Sequence, residues 1–175
     1  MSHLRSNHRR TPRRSKRRGS GLIELTVSTM LVGVLMAAAL TATGQALLAQ
    51  RKGADRVVGQ QLANALLAEV LQKSYSEPGA TLPLIGVDLL EVASLRSSFD
   101  DVDDYDGHTE SPPTATDGTV ISGYTGWRRT VSVAWVDATT LAPSGSDAGV
   151  KRVTVAVTFG GVPVYSATGY RVNVP

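Results

Sequence analysis

Hydrophobic and polar positions divide this chain into stretches with different periods. Residues 1–19 are polar and basic. From Leu25 to Ala49 no side chain carries a charge, a run of about 25 residues. As a helix it would extend roughly 37 Å at 1.5 Å per residue. That is enough to cross a hydrocarbon layer of ~30 Å with some tilt. From Arg51 the pattern becomes amphipathic. Val58, Leu62, Leu66 and Val70 recur every four residues, and Ala65 and Leu67 widen the same face. One helix is therefore expected from Gly21 to about Ser74, stopped by Pro78-Gly79. Gly53 and Gly59 are weak points inside it, each costing about 1 kcal/mol relative to Ala, and they offer places to bend.

Further on, the period changes to two. Val131, Val133 and Trp135 mark one face of a strand from Trp127 to Val136, with Thr130, Ser132 and Ala134 on the other. Val153, Val155, Val157 and Phe159 line a strand from Arg152 to Phe159. Gly160-Gly161 is a two-residue hairpin signal. Val162 to Val174 returns as the last strand, with Pro163 near its start, where a missing donor is tolerable. Leu141 to Gly149 reads as a loop, and Val87 to Leu95 as a short helix or strand. No internal repeat is visible. The expected fold class is α+β. A long N-terminal helix, membrane-spanning in its first half, packs its second half on a small antiparallel sheet. The segments are a leader over 1–19, an apolar helix over 20–49, its amphipathic continuation over 50–76 and a globular domain over 77–175.

Charge sharpens this division. The leader holds 8 of the 18 Lys and Arg and none of the 15 Asp and Glu. The rest carries 10 basic and 15 acidic residues, a net charge of −5. A nucleic-acid site is not expected on that part, despite a sequence pI of 9.4. A basic arm directly before an apolar helix fits the positive-inside rule, with the N-terminus cytoplasmic and the C-terminal domain outside. The chain has no Cys, which excludes disulfides, thiol catalysis and thiolate metal sites.

One carboxylate, Glu24, stands at the head of the apolar run. A charge in that setting is costly and marks a functional residue with a partner to find. The stretch Arg17-Arg18-Gly19-Ser20-Gly21-Leu22-Ile23-Glu24-Leu25 resembles the signal of type IV prepilins and of the pseudopilins of type II secretion. The resemblance is strong from Lys16 to about Leu48 and architectural beyond. It implies a pilin-like fold and a cut by prepilin peptidase between Gly19 and Ser20. It also implies N-methylation at Ser20 and a role for Glu24 in assembly. Other pilin or pseudopilin subunits and an inner-membrane assembly platform would be the partners. The family carries Phe or Met where this chain has Ser20, and often Thr where it has Gly21; the first departure bears on methylation. The implied product is a minor subunit of a pilus or pseudopilus, held in the inner membrane by one pass with its C-terminal domain periplasmic.

Other readings stand beside it. Ala37-Ala38-Ala39 and Ala42-Thr43-Gly44 offer small residues to an ordinary signal peptidase, which would release a β-rich binding domain. Arg13-Arg14 and Arg17-Arg18 suit a twin-arginine signal, and a simple signal anchor needs only the apolar run. Glu24 counts against all three, because each prefers an uninterrupted apolar segment.

Two further features bear on chemistry. Asp100, Asp101, Asp103, Asp104 and Asp106 place five carboxylates in seven residues. Such oxygen ligands suit Ca²⁺, although the EF-hand spacing does not fit. Some pseudopilins bind calcium in a loop of this region, and the phrase is similar to one in minor pilins of the mannose-sensitive haemagglutinin type. A solvated acidic turn, with Asp satisfying backbone amides, is the alternative. The one His beyond the leader, His108, falls in a polar stretch and reads as a surface loop residue. With no thiol, no phosphate-binding loop and no partner for that His, the chain reads as a substrate of an enzyme rather than as an enzyme.

Overall fold

The structure is a computed structural model, and it describes residues 20–77, 85–86 and 96–174. The leader with Gly19, the Pro78-Gly79 stop and the 87–95 segment lie outside the described residues. Helix α1 runs Ser20–Leu71 without a break, 52 residues. The chain falls into two compact units, divided between Leu48 and Ala49.

In the N-terminal unit every side chain from Gly21 to Leu48 is exposed. This part of α1 is long and apolar enough to cross a membrane. Its threonines do not need water. Thr26 donates to Ile23 O at 2.9 Å, Thr29 to Leu25 O at 3.0 Å, Thr41 to Ala37 O and Thr43 to Ala39 O at 2.9 Å. Hydroxyls bonded back to their own helix are satisfied in an apolar medium.

The globular unit has the α+β layout. Its sheet holds β1 (Thr109–Glu110), β2 (Trp127–Trp135), β3 (Val150–Phe159) and β4 (Val162–Val172), in that order and all antiparallel. Val131 faces Val155 and Val133 faces Val153, so the apolar phases of β2 and β3 coincide. Gly160 and Gly161 turn the β3–β4 hairpin with φ of 57° and 81°, the left-handed pair that this turn requires. β4 is an edge strand, so Pro163 removes no ladder donor from the sheet interior.

Leu62, Ala63, Leu66 and Val70 of α1 bury their side chains with Val131, Val133, Val153, Val155, Val157 and Ala167 of the sheet. Phe99, Val102 and Tyr105 of the connecting segment enter the same core. The helical stripe is as expected except at Ala65, which is exposed; Ala63 takes the buried position. The helix also ends earlier than Ser74. Ser74 N–H donates to Asp100 O at 3.2 Å and Ser74 O accepts from Val102 N–H at 3.1 Å. Backbone groups held by another segment cannot continue a helical ladder.

Gly59 is better explained by packing than by bending. A Cβ there would lie 2.9 Å from Val164 Cγ1 and 3.2 Å from Tyr165 Cβ, where the register of β4 shifts by one residue. Gly169 plays the same part farther on, where a Cβ would lie 2.8 Å from Leu71 Cδ1. The two close approaches fix helix and strand together. From Gly59 to Leu71 the helix rises about 18 Å, and from Val164 to Gly169 the strand rises about 17 Å, so α1 and β4 advance side by side.

We expect Gly59→Leu to cost about 1–3 kcal/mol, because neither Val164 nor the backbone-anchored Cβ of Tyr165 can retreat freely. Gly53, with nothing within 4 Å, is the control. Gly53→Ala should be neutral or stabilising by up to about 1 kcal/mol. Denaturant unfolding of the detergent-solubilised chain measures both, and equal stability of the two variants would contradict the close approach.

Candidate functional site

The residues singled out in the sequence fall into two groups. Ser20 and Glu24 lie on the first turns of α1 in the N-terminal unit. Glu24 is exposed, and it is the one charged side chain between Gly21 and Gln50. It lies four positions beyond Ser20, about 6 Å of helix rise. Around it Leu22, Ile23 and Leu25 are also exposed. A carboxylate set in such a surface has no solvent partner once that surface is covered by lipid or by other apolar helices.

The acidic stretch belongs to the globular unit, and it is not a solvated turn. Asp101, Asp103 and Asp104 are buried, whereas Asp100 and Asp106 are exposed. Asp104 Oδ2 accepts the N–H groups of Asp100 and Asp101, both at 3.1 Å. Asp101 Oδ1 accepts the N–H of Asp103 at 2.6 Å and of Asp104 at 3.3 Å. Asp106 Oδ1 accepts the N–H of Val133 at 2.8 Å, which ties the loop to β2. The turn chemistry expected of Asp is present, but it is performed inside the fold.

Asp103 has a different partner. Its Oδ2 accepts from Lys151 Nζ at 2.5 Å. Lys151 is fully buried; its ammonium also donates to Tyr75 O at 2.5 Å and lies 4.0 Å from the centre of the Tyr75 ring. Burial pushes the Asp103 carboxyl up to about 6, against the pull of Lys151. Burial also raises Asp101, and the charge of Asp104 adds to it.

A cation would find oxygen ligands at one place among the described residues. Carboxylate oxygens of Glu77, Asp100 and Asp101 lie within 4.8 Å of one another. Of the five aspartates, only Asp100 and Asp101 contribute to that group. Asp103, Asp104 and Asp106 are engaged as described. Asp103 Oδ1 and Asp104 Oδ1 are buried without a hydrogen-bond partner.

A second buried polar cluster escaped the sequence reading. Glu110 of β1 accepts from Arg96 Nη1 through one oxygen. Through the other it accepts from Arg129 Nε at 2.9 Å, from Arg129 Nη2 and from Thr114 N–H at 3.1 Å. Both arginines also donate to Thr114 O, at 3.0 and 2.7 Å. Glu69 of α1 sits 2.8 Å from Arg96 Nε, a contact of charge whose N–H is not aimed at that oxygen. Glu69 also accepts from the hydroxyls of Tyr105 at 3.0 Å and Thr116 at 3.1 Å. Two cations and two carboxylates balance. A carboxylate held by two guanidiniums has its lone pairs occupied, which suits Glu110 to holding the segment 96–116 on α1 and β2, and not to accepting a proton from a ligand.

His108 joins this cluster instead of facing solvent. Its ring meets Phe99 edge-on at 5.5 Å, and Nε2 lies 3.2 Å from Glu110 Oε1. Burial, then the charges of Arg96 and Arg129, hold its pKa below the usual value. An ionised carboxylate can only accept, so the contact with Glu110 needs the proton on Nε2.

Arg129 and Lys151 did carry a signal. Arg129 falls in phase with Val131 and Val133, and Lys151 in phase with Val153 and Val155. A cation on the buried phase of a strand requires a buried anion, and Glu110 and Asp103 are those anions. No protein-family model, curated protein or solved structure matches the chain.

The Asp103–Lys151 pair gives a measurable outcome. Lys151→Met should cost about 3–5 kcal/mol by stranding a buried carboxylate, and combining it with Asp103→Asn should recover most of the loss. The pH dependence has a fixed sign. The folded-state pKa of about 6 lies above the unfolded value. Asp103 then favours folding most below pH ~4, and that contribution is lost as pH rises toward ~6. Unfolding across that window should show wild type losing stability relative to Asp103→Asn. An opposite slope would refute the burial argument.

Proposed function

We propose that the chain is a structural subunit, a minor pilin or pseudopilin of a type IV pilus or type II secretion system, with a pilin-like α+β fold. The observation that carries this reading is Glu24: one carboxylate at the head of an exposed, otherwise uncharged helix whose threonine hydroxyls are satisfied internally. The basic leader and Gly19 before it support the same reading, as does a globular unit built on the amphipathic continuation of the same helix.

In this account prepilin peptidase cuts between Gly19 and Ser20, and Ser20 is the residue that would be methylated. The helix waits in the inner membrane with its N-terminus cytoplasmic and the globular unit periplasmic. The freed α-amine of Ser20 is cationic at neutral pH, since such a group titrates near ~8. Glu24 of one subunit pairs with the amine of a neighbour, and the two compensate each other in hydrocarbon. Apolar helices then gather into a filament core around that pairing, drawn out by the assembly platform. No step requires catalysis by this chain, a nucleic acid or a cofactor.

Substitution at Glu24 separates anchoring from assembly. Glu24→Ala removes a charge from the apolar segment, so membrane insertion should become easier. Assembly should fail, because losing one partner of a buried pair costs roughly 3–5 kcal/mol. Glu24→Asp, one methylene shorter, should be intermediate. Co-purification with partner subunits measures this, and wild-type recovery of Glu24→Ala would contradict the role of Glu24.

A further inference from the structure

The β3–β4 hairpin is uncharged over most of its length and ends in an exposed apolar tip. From Val153 to Tyr170 no residue is charged. The edge strand β4 is blunted by Pro163 and the register shift beside it, and it carries no charge until Arg171. At the tip, Phe159 is 39% exposed and Val162 64% exposed. Trp127 stacks on the Phe159 ring at 4.8 Å, giving the tip a rigid aromatic base.

A groove of about 470 Å³ separates this tip from the start of the globular unit's helix. It is lined by Phe159, Val162, Pro163 and Val164 on one side and by Lys52, Asp55 and Arg56 on the other. Arg51, Lys52 and Arg56 are exposed, and none of them forms an ion pair among the described residues. Two cations, Lys52 and Arg56, thus stand with one carboxylate, Asp55, across the groove from an uncharged apolar tip. Lys52 follows Ala49, where the apolar run ends, by three positions of the same unbroken helix, about 4.5 Å of rise.

We propose that the hairpin tip and the basic residues Lys52 and Arg56 dock the globular unit on an anionic phospholipid surface. Phe159 and Val162 enter the headgroup layer, and the cations bind lipid phosphates. The charge pattern selects this occupant. A protein partner for the groove would need its own anions, whereas the bilayer offers phosphates and an apolar layer together, in the order the groove presents them. The proposal rests on the membrane reading of α1, since that segment brings Lys52 to the surface. Docking would hold the unassembled subunit against the membrane, and extraction into a filament would break it.

The chain has no Cys, so single labels are unambiguous. We would attach an environment-sensitive fluorophore to Val162→Cys, Val172→Cys and Val34→Cys in the full chain. The chain would be placed in phosphatidylcholine/phosphatidylglycerol nanodiscs with nitroxide lipids. Val172, at the far end of β4, is about 33 Å from Val162 and serves as control. Val34 reports insertion of α1. The expected result is quenching at Val34 by acyl-chain nitroxide and at Val162 by headgroup nitroxide, with none at Val172. Lys52→Gln and Arg56→Gln should each lower the docked fraction relative to the undocked by about fivefold. Quenching at Val34 with Val162 no different from Val172 overturns the docking alone. Quenching at Val162 that ignores both substitutions also overturns it, as does burial of Val162 against a second copy of the chain. Silence at Val34 overturns the membrane reading, and the proposal with it.

Discussion

A single helix in this protein has to meet two surroundings, and most of the structure follows from that constraint. Over its first part α1 exposes leucine, isoleucine, valine and methionine on all sides, which water does not favour. Over its last part it buries one stripe, Leu62 to Val70, against a sheet. The change comes where Arg51, Lys52 and Arg56 enter the sequence. The sheet needs the helix in turn, because β2 and β3 present valines on one face and, among the described residues, no other element of the globular unit is long enough to cover them. Gly59 and Gly169 let the backbones of helix and β4 come close, so the same stretch of helix is both cover and frame.

The core is small, built of valines around Phe99, Tyr105 and Trp127, and it contains more charge than its size suggests. Arg129 and Lys151 occupy the buried phase of β2 and β3, and each is matched by an acid from the segment 96–116, Glu110 of β1 and Asp103 of the loop before it. Replacing such pairs with apolar residues is often neutral or stabilising, so their presence is not explained by stability alone. Their effect is specific placement. The segment 96–116 has little regular structure, and the two ion clusters with the aspartate-bound turns fix where it lies. Several of these contacts share a partner, so the placement of the segment that pairs Glu110 and Asp103 with their cations is favoured over others.

Much of the layout was legible in the sequence. The long helix, the Val-rich strands and the Gly160-Gly161 turn all carry local signals: a period of 3.6, a period of two, and two residues free to take positive φ. The buried face of α1 was misread only at Ala65, because alanine carries too little hydrophobicity to fix a phase. The aspartates were harder. A run of acids reads as solvated when each residue is considered alone, and only the fold shows backbone amides and Lys151 converging on them. His108 was hidden for the same reason, since its ring is buried by Phe99 and Tyr105, which come from neighbouring turns. The short β1 has two residues and no periodicity to read, yet it supplies Glu110, on which two arginines depend.

The account turns on whether the apolar segment of α1 is kept in the mature protein with Glu24 near its new terminus. Intact-mass measurement of the chain extracted from producing membranes decides this most directly. The expected mass is that of residues 20–175, with or without one added methyl group. A mass that places the terminus after Ala39 or Ala42 would show the segment to be an ordinary export signal. That result would contradict the assembly role of Glu24 and leave the globular unit as an exported binding domain.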